Sequence, residues 1–164
     1  MQIAQFNASA VLNIADDHTD WHGDFEEYAR TKISLLDSSS TGILNADDSE
    51  VVKRSVHWKG RKVFFTLETP GPGEIGVVEE LLVDRAFVAD PQQASMICEL
   101  ADIVPTVPHN VSNALAAAAL ARAINVPHEA IQRALHDFRP GRHRIETVHE
   151  SAGITWVDDS KATN

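Results

Sequence analysis

The 164-residue chain predicts an α/β fold: a mainly parallel sheet with flanking helices and a small antiparallel patch, followed by two further strands near the end. Three observations carry this. Short apolar runs ending in acids, "ASAVLNIA" (8–15) and "TGILNADD" (41–48), read as buried parallel strands. Segments with 3.6-residue periodicity separate and follow them. A β-rich, Gly- and Pro-punctuated middle interrupts the alternation.

The first helix is placed over 24–36. Asp24 reads as its N-cap with Glu27 completing a capping box, and Phe25, Tyr28, Ala29, Ile33 and Leu36 form its inward stripe. Lys32 falls at the edge of that stripe. The second strand is placed at 41–45, and "SEVVKR" (49–54) reads as a short helix. "RSVHW" and "RKVFFTLE" around Lys59-Gly60 predict a hairpin, which puts the antiparallel patch within 54–67. "TPGPGEIG" is a loop, and 81–107 reads as short strands and connections. Helices are placed at 112–124, where alanines permit close packing, and at 127–138, opened by Pro127. "RPGRHRIE" is a break, and two strands flank Ala152-Gly153.

The bulk numbers exclude some functions. A formal net charge of −10 opposes general nucleic-acid binding, which needs Lys and Arg against phosphates, but leaves room for a nucleotide pocket with a few local donors. Acids and arginines interrupt every apolar stretch, so no membrane span is expected, and the start has no basic leader. The one cysteine, Cys98, forbids an internal disulfide and points to a reducing, cytoplasmic setting.

Five stretches carry chemistry-bearing side chains, each with a plainer alternative. "DDHTDWHG" puts His18 beside Asp16, Asp17 and Asp20, as a divalent-ion or phosphate site or as a polar surface loop. Lys32 is either a solvated helix lysine or a partly desolvated, reactive amine. "PHNVSN" puts His109, Asn110 and Asn113 at a helix start, suited to a heterocycle or phosphate, with Asn110 or Ser112 as simple caps in the plainer case. Arg142, His143 and Arg144 suit phosphate recognition or surface ion pairs. "WVDDSKATN" ends an apolar strand in Asp158, Asp159, Ser160, Lys161 and Thr163, the composition of a binding loop. No GxxxxGK[ST] phosphate loop occurs, since "GPGEIG" lacks its Lys-Ser/Thr end.

"LNIADDHTDWHGDFEEYARTK", "ILNADD", "HNVSNALAAAALA", "FRPGRHRIE" and "WVDDSKATN", in this order, resemble the Mur ligase family along almost the whole chain. The resemblance implies that residues 1–140 are part of a central ATPase domain lacking its phosphate loop, and that 141–164 begin a C-terminal Rossmann-like domain. It implies ATP and Mg2+ as cofactors, UDP-N-acetylmuramoyl-L-alanine and D-glutamate as substrates, and amide formation through an acyl phosphate. His18 is then a magnesium ligand and Lys32 a carbamylated lysine that holds the same ion. Asn110 and Asn113 contact adenine, His143 and Arg144 flank the nucleotide, Asp159 binds ribose, Lys161 lies near the phosphates, and Thr163 reaches the D-glutamate carboxylate. The chain is expected to be a fragment, inactive alone. The alternative is a non-catalytic acidic binding module that keeps the fold.

Overall fold

The computed structural model describes residues 5–15 and 24–162. Of the residues singled out above, Asp16, Asp17, His18, Asp20 and Thr163 lie outside the described residues.

Six strands form one sheet in the order β1-β2-β3-β4-β5-β6, with β1 at Phe6–Val11, β2 at Ser39–Asn45, β3 at Arg61–Phe65, β4 at Ile75–Val78, β5 at Leu81–Asp84 and β6 at Ser95–Glu99. β1 to β4 are parallel, while β4-β5-β6 is an antiparallel meander. Helices cover both faces. α1 (Phe25–Ser34) and α2 (Ser49–Ser55) lie on one, α3 (Pro108–Ala123) and α4 (His128–Asp137) on the other. The alternation of a strand explains the division: Ile43 of β2 joins the core under α3, while its neighbour Leu44 joins the core under α1. A separate two-stranded sheet follows, β7 (Glu146–Ser151) and β8 (Ile154–Asp158), antiparallel about Ala152-Gly153. Both turn residues have positive φ, 51° and 76°, as a two-residue hairpin turn with right-handed twist requires.

The first cap is as expected, since the Asp24 side chain accepts from Glu27 N at 2.8 Å. Glu27 does not complete a box, because its carboxylate turns to Arg30 instead. Asp48 caps α2 in the same way, taking Val51 N at 2.9 Å. α3 begins earlier than its capping residues suggested. Pro108 opens it, with no amide hydrogen to leave unpaired, and neither Asn110 nor Ser112 is a cap. Val111, Ala114, Leu115, Ala116, Ala118 and Ala119 are its buried face, and the short alanines let the backbone lie close against β1 to β4.

The hairpin expected within 54–67 is not formed. Residues 54 and 55 end α2, and β3 pairs in parallel with β2. The apparent Lys-Gly turn serves a different purpose. Trp58 folds back so closely that a Cβ on Gly60 would lie 2.2 Å from its ring, and one on Gly42 of β2 2.9 Å from it. The antiparallel patch instead comprises β4 to β6, whose first turn runs through Glu79 at φ 54°. The first strand also ends at Val11 rather than at residue 15.

Asp84 closes the meander against the helices. Its carboxylate is fully buried. Oδ1 accepts from Ala86 N and Phe87 N, both at 2.8 Å, and Oδ2 accepts from Arg122 Nε at 3.0 Å and His128 Nε2 at 2.9 Å. Burial alone would raise its pKa. The Phe87 amide, His128, the Ala86 amide and Arg122 outweigh burial and hold the carboxyl below its usual range. A depressed carboxylate contributes stability above its unfolded pKa near ~3.9, and that stability is lost as pH falls through the lower folded value. Asp84→Ala leaves Arg122 and His128 facing a void. The expected cost is about 3–5 kcal/mol, read as a lowered urea midpoint at neutral pH. The gap to wild type narrows as pH is taken below ~4.

Candidate functional site

A cavity of about 790 Å³ opens where the C-terminal unit meets the helical face of the large sheet. This is within the roughly 300–1,000 Å³ of ordinary small-molecule sites. α3 forms its floor with Asn110, Asn113, Ala114 and Ala117, α4 adds Ala134 and Leu135, and Phe138 follows at its C-cap. Arg144, Ile145, Asp159, Lys161 and Ala162 face them from the C-terminal unit, and Leu12 and Asn13 close the side where β1 leaves the sheet. The cavity thus offers an apolar slot with carboxamides at one edge and two cations and a carboxylate at another.

Each polar group is held by its local fold. Asn110 lies in the first turn of α3, where its Nδ2 donates to Pro105 O at 3.0 Å. Asn113 is one turn further along and exposed to the cavity. Arg144 sits between His143 and Ile145, whose φ values are 66° and 49°. Positive φ is costly for a β-branched residue, and the bend persists because the β8 exit grips it. Ile145 N donates to Asp159 Oδ1 at 3.2 Å, Lys161 N to His143 O at 3.2 Å, and His143 N to Glu146 Oε2 at 2.8 Å.

The structure brings Asn110, Asn113, Arg144, Asp159 and Lys161 to this one space. His143 is not among the lining residues. Its Nδ1 meets Asp158 Oδ2 at 2.6 Å. That ion pair and its hydrogen bond raise the His143 pKa and depress Asp158 to about 2. His143, Glu146 and Asp158 also present ligand-type atoms within 4.8 Å of one another, the one such metal-sized grouping among the described residues. The His143 ring and Asp158 already pair with each other, and Glu146 accepts from the His143 backbone amide. Lys32 does not line the cavity. Half-buried on α1, it donates from Nζ to Asn13 O at 3.1 Å, with the Tyr28 ring 4.7 Å away. It therefore stands directly behind Asn13, a cavity residue that inspection of the sequence did not single out. The network around Asp84, Arg122 and His128 was missed too. Its only local sign is an acid ending the apolar run "LLVD".

The His143–Asp158 pair has a pH signature. The His143 contribution is fully present below its unfolded pKa near ~6.5 and is lost as pH rises through its higher folded value. The Asp158 contribution is present above ~3.9 and is lost as pH falls toward about 2. NMR titration of the His143 ring is expected to give a pKa above ~6.5 that returns toward that value in Asp158→Asn.

Comparison with known proteins agrees with this architecture. The Mur ligase middle domain matches residues 1–121. UDP-N-acetylmuramoylalanine–D-glutamate ligase of Thermobifida fusca is 48% identical across 98% of this chain, and the protein of the same name from Mycolicibacterium vanbaalenii is 46% identical across 96%. The chain spans 35% and 32% of the length of these curated relatives. Among solved structures, MurF from Acinetobacter baumannii superposes with a TM-score of 0.69 at 22% identity, covering 93% of this chain and 33% of that one. A pseudomurein peptide ligase type C from Methanothermus fervidus gives 0.67 at 18% identity, covering 93% and 38%. These two likenesses concern the fold alone. With the Mur ligase middle domain matched over residues 1–121 of the 164, the chain belongs to the Mur ligase family.

Proposed function

We propose that this chain forms the adenosine side of the nucleotide site in an ATP-dependent ligase that joins D-glutamate to UDP-N-acetylmuramoyl-L-alanine in peptidoglycan synthesis. One observation carries the reading: Asn110 and Asn113 on α3 and Arg144, Asp159 and Lys161 some thirty to fifty residues later line a single cavity of nucleotide size. The names of the relatives support the choice of substrates. Residues 1–140 are then part of the central ATPase domain and 141–164 the start of the C-terminal Rossmann-like domain.

The chemistry of the lining suits these roles. Carboxamides at 110 and 113 supply donors and acceptors for the edge of adenine, beside the apolar slot made by Ala114, Ala117, Leu135 and Phe138. Asp159 can accept from ribose hydroxyls. Arg144 and Lys161 offset phosphate charge in a chain whose net charge is −10. In the reaction, ATP phosphorylates the substrate carboxylate, the D-glutamate amine attacks the acyl phosphate, and phosphate leaves. Mg2+, when bound, offsets charge on the transferring phosphoryl group. His18 and Lys32 are its proposed ligands here, and Thr163 the proposed contact to D-glutamate. As an amine donating to Asn13 O, Lys32 is a hydrogen-bond donor, so a ligand role requires its carbamylation. His143 acts beside the nucleotide through its bond to Asp158 rather than by lining the space. No described helix is long and apolar enough to cross a membrane. The single cysteine, Cys98, is free and buried, which fits a reducing cytoplasm as the place of action.

Calorimetric titration of the chain tests the reading. Adenosine and ADP are expected to bind weakly and within about tenfold of each other, since the sequence contains no phosphate loop. Asn113→Leu is expected to weaken both ligands, and Arg144→Ala mainly ADP. Binding untouched by either substitution overturns the site. Micromolar ATP binding, or phosphate release dependent on D-glutamate and the UDP-linked substrate, overturns the expectation that these residues alone are inactive.

A further inference from the structure

We infer that Asn45 and Asp48, neither of which lines the cavity, are positioning residues: they clamp the exit of β1 and thereby set Asn13 in the cavity wall with Lys32 behind it. The inference deepens the nucleotide-site reading above and rests on it for the ligand, but not for the clamp.

The sheet register between β1 and β2 ends at Val11 with Leu44. Beyond it, Leu12, Asn13 and Ile14 leave the ladder, and side chains take over their backbone groups. Asn45 Nδ2 donates to Leu12 O at 2.9 Å. Lys32 Nζ donates to Asn13 O at 3.1 Å and reaches Asn13 Oδ1 at 3.4 Å. Ile14 N donates to Asp48 Oδ2 at 3.1 Å. Asn13 is therefore bracketed on both sides in the chain and gripped at its own carbonyl.

The clamps are themselves fixed. Asn45 Oδ1 accepts from Asp47 N at 2.9 Å, and Asp48 Oδ1 is the cap of α2. Asp47 holds Leu67 N at 2.8 Å and Thr66 Oγ1 at 2.5 Å, tying the same corner to the end of β3. Ile14 is seated in the core under α1, so the bracket has a buried anchor at its far end. The residue types follow from what each must do. The carboxamide at 45 donates to Leu12 O while accepting from Asp47 N, and the carboxylate at 48 takes Ile14 N and Val51 N on separate oxygens.

Two variants separate the clamp from general stability. Asn45→Asp keeps the acceptor for Asp47 N but faces Leu12 O with a carboxylate. Asp48→Asn keeps one acceptor oxygen and loses the other. Val83→Ala, a buried position on β5 outside the core cluster that seats Ile14, is the control for destabilisation. The first readout is acylation of Lys32 by acetic anhydride, followed by mass spectrometry with Lys59 as internal reference. Asn45→Asp and Asp48→Asn are expected to raise the Lys32 rate about tenfold, the effect of freeing a group from one ordinary hydrogen bond. Val83→Ala is expected to leave it within about twofold. The second readout is ADP affinity, expected to fall about tenfold in Asn45→Asp and to hold in Val83→Ala. An unchanged Lys32 rate in both clamp variants overturns the inference, as does an equal rise in Val83→Ala. A raised Lys32 rate with ADP affinity unchanged overturns its extension to the ligand. If the wild-type chain takes up no ADP, the nucleotide reading fails, and the Lys32 rates alone decide the clamp.

Discussion

Four donors converge on the buried carboxylate of Asp84: the amides of Ala86 and Phe87, the Arg122 guanidinium and the His128 ring. An ionised carboxylate in the interior costs several kcal/mol unless its lone pairs are filled, roughly the margin by which a domain of this size is stable. The requirement fixes geometry as well as energy. Arg122 ends α3 and His128 begins α4, so the corner between the two helices is set by one acid at the end of β5. Arg122 also donates to Val126 O at 2.7 Å and Phe87 O at 2.9 Å, which closes that corner from inside. Toward the opposite ends of the helices, Asn110 and Asn113 on α3, Leu135 on α4 and Phe138 just after it line the cavity floor. The cavity therefore depends on a polar knot at the other end of the helix pair.

The two halves of the cavity are stabilised differently. The floor is part of the large core and inherits its rigidity. The roof belongs to a hairpin whose apolar side chains Val148, Ile154, Trp156 and Val157 are largely exposed, so little burial holds it. Its shape comes from polar links between 143–146 and 158–161. Exposed ion pairs contribute only modestly to stability. They serve orientation here, since they force the bend that presents Arg144.

Much of the architecture was legible because local signals and burial agreed. "TGILN" between acids is a buried strand, and Asp24 before the Phe25, Tyr28 and Ala29 stripe is a helix start. The middle misled for a physical reason. Lys59-Gly60 resembles a hairpin turn, but its glycine is there to admit the Trp58 ring, a contact that crosses to Gly42 on β2. The real antiparallel turn runs through Glu79-Glu80, which carries no Gly or Asn signal and takes a positive φ under tertiary constraint. In the site, Asn110, Asn113, Arg144, Asp159 and Lys161 were legible only as motifs, each weak alone. The clamps and knots were not legible. Asp84 lies 38 residues from Arg122 and 44 from His128, and Asn45 acts on Leu12 33 residues earlier. Such pairings have no periodicity. They follow from topology.

The alanine face of α3 has a consequence for how this chain tolerates change. Ala118 and Ala119 are completely buried against the sheet, while Asn113 and Ala117 of the same helix look into the cavity. A helix held this close has no slack. One added methylene beneath it forces the whole rod outward, and overpacking of this kind costs about 1–3 kcal/mol. The displacement is delivered to the carboxamides on the other side. A larger side chain at Ala118 or Ala119 is therefore felt at the cavity wall even though neither residue lines it.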